Sequence, residues 1–509
     1  MLRRPIILTN PLILAISLLT LFSGILSCAG IPSVAPETVP PIVSTPLQDE
    51  PPLVSTQVPE PEAEPQPLPP ELPPEIPPLP PAIPSVEERL SDISSLLASG
   101  EVESALLLFD LPPLLDSADS GIALLKASIL SSLGKAADAR AIAESLVKAD
   151  PTNAEALFVL AAAEGAAGKA KERKALLERA IIADPKHSAA LAALGTIAMG
   201  SKIFKLAETY YDKSLESDPR GMEALIGKAR MRRVFEDPTG AETVLNFAMK
   251  EYPEWALPLA ERAKVYREQG FLTHALADLS KARVLDPDDY WIALDRGVVL
   301  FDLERKSDAL AEFDQAAKLQ PEHFLSYVYS SGIRDEQGDW VGAEHDYALL
   351  AELKPDYYYA NEALGILRMR DGRWASAADA FIDAYKRAPH QSQYALLVAL
   401  CWMHSGKTAE IKPFLAKVLP TVNRTTLEWY LLRLFHDQSG DTDIATRIDK
   451  ETDRDKRARM LYYLAQYYAA KGDNGLAIRY HLQVRDMDRR GIIEWRLNEW
   501  ALDMYQPKG

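Results

Sequence analysis

Three patterns of hydrophobic and polar positions follow one another along the chain, and each predicts a different kind of structure. Leu12 to Leu26 is a continuous apolar run, interrupted only by small or hydroxylated residues and preceded by Arg3 and Arg4. Its fifteen residues suit the core of a secretory signal and fall short of a comfortable bilayer span. Residues 31–84 hold 20 of the 37 prolines, eight acids and no Lys or Arg. Proline lacks the backbone donor and fixes φ, so this segment supports neither a helix nor a sheet ladder. From Val86 onward apolar residues return at helical spacing, and the pattern predicts helices with no strands.

The helical region repeats. Pro151, Pro185, Pro219, Pro253, Pro287, Pro321, Pro355 and Pro389 stand 34 residues apart without exception. Gly100, Gly134, Gly168, Gly270, Gly338, Gly372, Gly406 and Gly440 fall on a second lattice of the same period, with Lys202, Glu236 and Glu304 in its empty slots. A third holds alanine at Ala105, Ala139, Ala207, Ala241, Ala275, Ala309, Ala343, Ala377 and Ala445, with Arg173 and Ile411 as exceptions. Each lattice has a role in a helix-turn-helix unit. Proline ends the second helix, glycine takes the positive φ of the tight turn, and alanine lets two helix axes approach.

These residues resemble the tetratricopeptide repeat, a family of 34-residue antiparallel helix pairs. The clearest unit is Ala256 to Asp289, with Ala263 and Tyr266 in the first helix, Gly270 in the turn, Ala275 and Ala282 in the second helix and Asp286-Pro287 closing it. Complete units begin at 120, 154, 188, 222, 256, 290, 324 and 358, and weaker ones near 86, 392, 426 and 458. Residues 491–505 read as a terminal capping helix, because the last unit of a solenoid otherwise leaves an apolar face in water. The resemblance implies an all-α, right-handed superhelical solenoid of about 12 repeats over residues 86–485, followed by a capping helix and tail at 486–509.

The apolar run ends at Ile25-Leu26-Ser27-Cys28-Ala29, which resembles a bacterial lipobox with Leu26 where a small residue is usual. The expected signal is residues 1–27, with Cys28 lipidated; cleavage after Ala29 by a general peptidase and an uncleaved anchor are the alternatives. Residues 28–85 then form an acidic proline-rich tether. At about 3.1 Å per residue its polyproline stretch reaches at most roughly 170 Å. The P-x-x-P frames there lack the basic residue that usually orients groove-binding proline ligands. Loss of residues 1–27, which carry Arg3 and Arg4 and no acid, takes the net charge from −17 to −19. So acidic a surface disfavours nucleic acid, which needs clustered cations. Two cysteines build no disulfide framework, and Cys401 reads as a small buried hydrophobe.

Catalytic and cofactor motifs are missing from the sequence: no G-x-x-x-x-G-K-[ST], H-E-x-x-H, C-x-x-C or G-x-S-x-G is present. The histidines are scattered singly, and His274, His345 and His481 read as structural or solvated. No cofactor, metal or catalytic residue is expected, and the chain is read as a binding protein and not an enzyme. In the resembled family the concave face is lined by positions 2, 5, 9 and 12 of each first helix. Those positions hold Arg230 and Arg233, then Lys264 and Arg267, then Trp291, Leu294, Val298 and Phe301. The partner-binding candidates are therefore Arg230, Arg233, Lys264, Arg267, Trp291 and Phe301, set against a plain reading in which the cations offset neighbouring acids and the aromatics pack internally. The asparagines of a carboxylate clamp for peptide C-termini are absent from these three units.

The function expected on these grounds is a lipid-anchored scaffold or adaptor of the bacterial cell envelope, facing the periplasm and binding protein or peptide partners through the concave face. A ligand-binding accessory subunit of an envelope transport system is the alternative. A remodelling enzyme or its regulator is a third reading, weakened by the missing catalytic constellation.

Overall fold

The computed structural model describes residues 84–115 and 117–505; Cys28, the apolar leader and nearly all of the proline-rich segment lie outside the described residues. Among the described residues the chain is helical, with no strand. First helices start at Ser120, Ala154, Ser188, Met222, Ala256, Tyr290, Phe324 and Tyr358, at the eight positions that the periodicity marks. Each pairs with the helix that follows it, and within each of the chain's two compact units each second helix packs on the next first helix. The chain divides into two compact units, Met1–Glu251 and Tyr252–Gly509.

Local chemistry accounts for the helix ends. Asn153 and Asp289 cap first helices by accepting from the Ala156 and Ile292 amides, both at 2.9 Å. Second helices end at Asp150, Asp184 and Asp218, which take extended conformations just before the lattice prolines. Their carboxylates accept from the amides two residues on, at 2.9 to 3.0 Å, and so close the turn that proline opens. Between the helices of a pair, the lattice glycines all have positive φ, from 70° to 93°. Lys202, Glu236 and Glu304, which fill the glycine slots, take the same conformation at 57° to 59°. The helix-to-helix turn thus dictates the backbone even where the side chain disfavours it.

Packing follows the alanine lattice. Ala105, Ala139, Ala207, Ala241, Ala275, Ala309, Ala343 and Ala377 are all completely buried. Arg173, in one alanine slot, is accommodated by Gly165 opposite it: a Cβ there would lie 2.8 Å from the arginine Cδ. A further rule links position 8 of the first helix to position 24 in the second. Gly195, Gly297 and Gly365 stand at position 8, facing Tyr211, Phe313 and Phe381 at position 24, where a Cβ would come within 2.5 to 2.7 Å of the ring. Ala161, Ala229 and Ala263 stand at the same place in repeats whose position 24 is Leu177, Leu245 and Leu279. Large meets small in these six repeats, so the pair holds its volume while its members change; the repeat from Phe324 pairs Ser331 with Tyr347, and the repeat from Ser120 pairs Ala127 with Ala143.

In the second unit the last helix pair, Arg454–Ala470 and Asn474–Asp486, is covered by the helix Ile493–Tyr505. Leu497, Ala501 and Leu502 are buried there, and Asn498 meets His481 Nδ1 at 2.7 Å. The cover does more than cap the end: the same helix also touches Tyr358–Arg370, three helix pairs earlier. Cys401 is fully buried, and burial pushes its thiol well up.

Candidate partner-binding surfaces

The six sequence-predicted residues fall on both sides of the division at Glu251. Arg230 and Arg233 lie in the first unit, on the helix Met222–Val234. Arg230 stabilises ionised Glu223 and Tyr211, whose groups burial otherwise pushes up, in the case of Tyr211 to about 12. It therefore belongs to a polar cluster with Thr196, whose hydroxyl donates to Glu223 at 3.0 Å.

Lys264, Arg267, Trp291 and Phe301 lie in the second unit. Lys264 Nζ sits 3.2 Å from Glu261 and 3.3 Å from Asp295, and Arg267 Nε lies 2.5 Å from Asp302. Lys264 and Arg267 are thus each met by an acid of the next first helix, Tyr290–Asp302. Burial pushes the Asp295 carboxyl up while Lys264 pulls it down. Trp291 remains 44% exposed, its ring edge-to-face with Tyr290 and His323. Phe301 is half-buried and packs against Tyr329 at 6.2 Å. Leu294 and Val298, between them in register, are buried. This face presents paired charges beside one open indole.

A second set in the same register escapes the composition-based reading. Asp335 is position 12 of the repeat from Phe324, and Tyr359, Glu362 and Ile366 are positions 2, 5 and 9 of the repeat from Tyr358. The C-terminal helix lies against them. Arg496 donates to both carboxylate oxygens of Asp335, at 2.7 and 2.6 Å, across 161 residues of sequence. Trp500 meets Trp340 edge-to-face at 5.7 Å. The Arg370 and Arg496 guanidiniums stand over these indoles, 4.5 Å from Trp340 and 4.4 Å from Trp500 respectively. Glu362, which accepts from the Tyr394 hydroxyl, and Glu494, which accepts from Tyr463 at 3.2 Å, are both pushed up by burial. A cavity of about 260 Å³ remains beneath Ile493 and Arg496, against Val328, Tyr359, Glu362 and Ile366. Sequence signals existed for each part: the register for the groove side, and Arg496 and Trp500 at helical spacing for the other. Nothing in the sequence joined them.

No group of His, Cys, Asp and Glu among the described residues is arranged to hold a metal ion. His481 is buried among Gln466, Asn498 and Tyr462, and burial lowers it to about 4. His274 packs between Tyr266 and Phe271, and His345 is exposed.

The family model described as a tetratricopeptide repeat matches residues 124–186, 260–324, 294–360 and 362–410. Among solved structures, a tetratricopeptide repeat protein from Parabacteroides merdae is 19% identical over 48% of this chain and 98% of its own, with a TM-score of 0.37. The pilF protein of Pseudomonas aeruginosa is 22% identical over 40% of this chain and 93% of its own, with a TM-score of 0.36. YrrB, described as a TPR protein with an unusual peptide-binding site, is 18% identical over 36% of this chain and 95% of its own, with a TM-score of 0.28.

Proposed function

From the premise that this chain is a tetratricopeptide-repeat protein, we propose that it is a scaffold that binds protein partners through the first-helix face of its repeats. Helix pairs stacked in this way form extended binding surfaces, and the family is generally non-catalytic. The observation that carries the reading is that positions 5 and 12 of the repeat from Phe324 and positions 2, 5 and 9 of the repeat from Tyr358 already lie against a polypeptide helix, the chain's own. At the equivalent positions of an earlier repeat pair, Trp291 is 44% exposed beside the ion pairs of Lys264 and Arg267, and an exposed indole beside charge is the composition of an interface hot spot.

The scaffold is held in the bacterial cell envelope by a lipid on Cys28 and displaced from the membrane by the proline-rich tether. The leader, the small residue before Cys28 and the uncharged-or-acidic, proline-dense sequence that follows support this placement.

The test is an affinity capture with crosslinking from native envelope fractions. A chain carrying Lys264→Ala, Arg267→Ala and Trp291→Ala, checked for unchanged helicity, should lose a partner that the parent chain recovers. Recovery of the same proteins in equal amounts by both chains would remove this face from the reading.

A further inference from the structure

The helix Ile493–Tyr505 has two working faces. Leu497, Asn498, Ala501 and Leu502 bind it to the last helix pair, whereas Ile493, Arg496 and Trp500 project at i, i+3 and i+7 onto the repeats from Phe324 and Tyr358. The second face meets the repeat register at the positions that the proposed function assigns to partners. Its contacts are few and specific: one bidentate ion pair to Asp335, one indole against Trp340, and Ile493 over an incompletely filled cavity.

We propose that the groove formed by Val328, Asp335, Trp340, Tyr359, Glu362 and Ile366 is a helix-binding site for a protein partner that presents an arginine four residues ahead of a tryptophan, with an apolar residue three before the arginine. The C-terminal helix is its resident competitor. The inference rests on the reading of the first-helix face as protein-binding, and adds the chemistry of what one part of that face takes. Asp335 selects the guanidinium, because a bidentate carboxylate fork matches arginine and not lysine. Trp340 and Arg370 together select an indole, which fits edge-on to one and under the charge of the other. The cavity leaves room for an apolar side chain larger than Ile493. A partner that fills it competes with the resident face, while the C-terminal helix keeps its other face on the last pair. Access to the groove is thereby set by an internal ligand of high effective concentration.

The experiment uses the full chain and a fluorescent peptide of residues 489–505. A variant with Arg496→Ala and Trp500→Ala loosens the resident face while leaving Leu497, Asn498, Ala501 and Leu502 in place. It should bind the peptide at least tenfold more tightly than the parent chain, and adding Asp335→Ala should reverse that gain. A charge exchange gives an independent arm: a chain with Asp335→Arg should prefer a peptide carrying Arg496→Asp over the native peptide by a similar factor. Equal peptide affinity in the parent and loosened chains, or no preference in the exchange, overturns the proposal. Such a failure leaves the scaffold reading to its own test at Lys264, Arg267 and Trp291.

Discussion

At the scale of single residues, the repeat is a set of steric exchanges. In three repeats glycine at position 8 admits an aromatic ring from position 24, and in three others alanine stands there opposite leucine. Gly297→Ala should therefore destabilise the second unit by about 1 to 3 kcal/mol, because its new Cβ would lie 2.6 Å from Phe313 Cε1. Adding Phe313→Leu recreates the pairing of Ala263 with Leu279 and should recover much of that loss. Denaturant melts of the two single variants and the double variant measure the coupling, and strictly additive changes would refute the exchange. The positive φ of Lys202, Glu236 and Glu304 makes the same point from the backbone: position in the repeat outweighs intrinsic preference.

At the scale of elements, the contact between the C-terminal helix and the last helix pair holds two buried titrations of opposite sense. His481 is held neutral by burial, with Gln466, Asn498, Tyr462 and His404 around it, and its lowered value of about 4 compares with an ordinary 6.5. The unfolded chain gains a proton below about 6.5 that the folded one refuses until about 4, so acidification through that window costs on the order of 3 kcal/mol. Glu494 works the other way. Desolvation raises its carboxyl, with Arg459 and Tyr463 partly compensating and Glu362 adding to the rise, so its contribution is complete at low pH and is lost as pH rises. Hydrogen exchange at the Leu497 to Leu502 amides should accelerate as pH is lowered from 6.5 to 4, after correction for intrinsic rates. In His481→Gln that acceleration should vanish and the residual dependence should reverse, with acid tightening the helix. An unchanged profile in the variant would exclude His481 as the source.

At the scale of the whole molecule, a repeat array normally couples only neighbours. In the second unit the ion pair between Arg496 and Asp335 adds a contact across 161 residues, tying the repeats from Phe324 and Tyr358 to the end of the chain. A net charge of −17 opposes self-association through like-charge repulsion. The proposed placement in the cell rests on the N-terminal segment alone. Cys28→Ala should move the expressed protein from the detergent phase to the aqueous phase of a bacterial extract; partition unchanged by the substitution would sink the lipid anchor.

The 34-residue period by itself determined the fold of the repeats, down to the first residue of eight helices, because proline, glycine and alanine each act through local sterics that need no distant partner. The register of the first-helix face was legible for the same reason. What the period could not state is which charges end up alone. Lys264 and Arg267 read as a cationic patch, and only the packing of the next helix brings Asp295 and Asp302 against them. The helix at 491–505 was recognisable as a cover for the last pair, whereas its second face on Asp335 and Trp340 arises from how several repeats stack. That stacking is a sum of small rotations over many residues, and no local pattern of side chains encodes where the sum brings the chain back to itself.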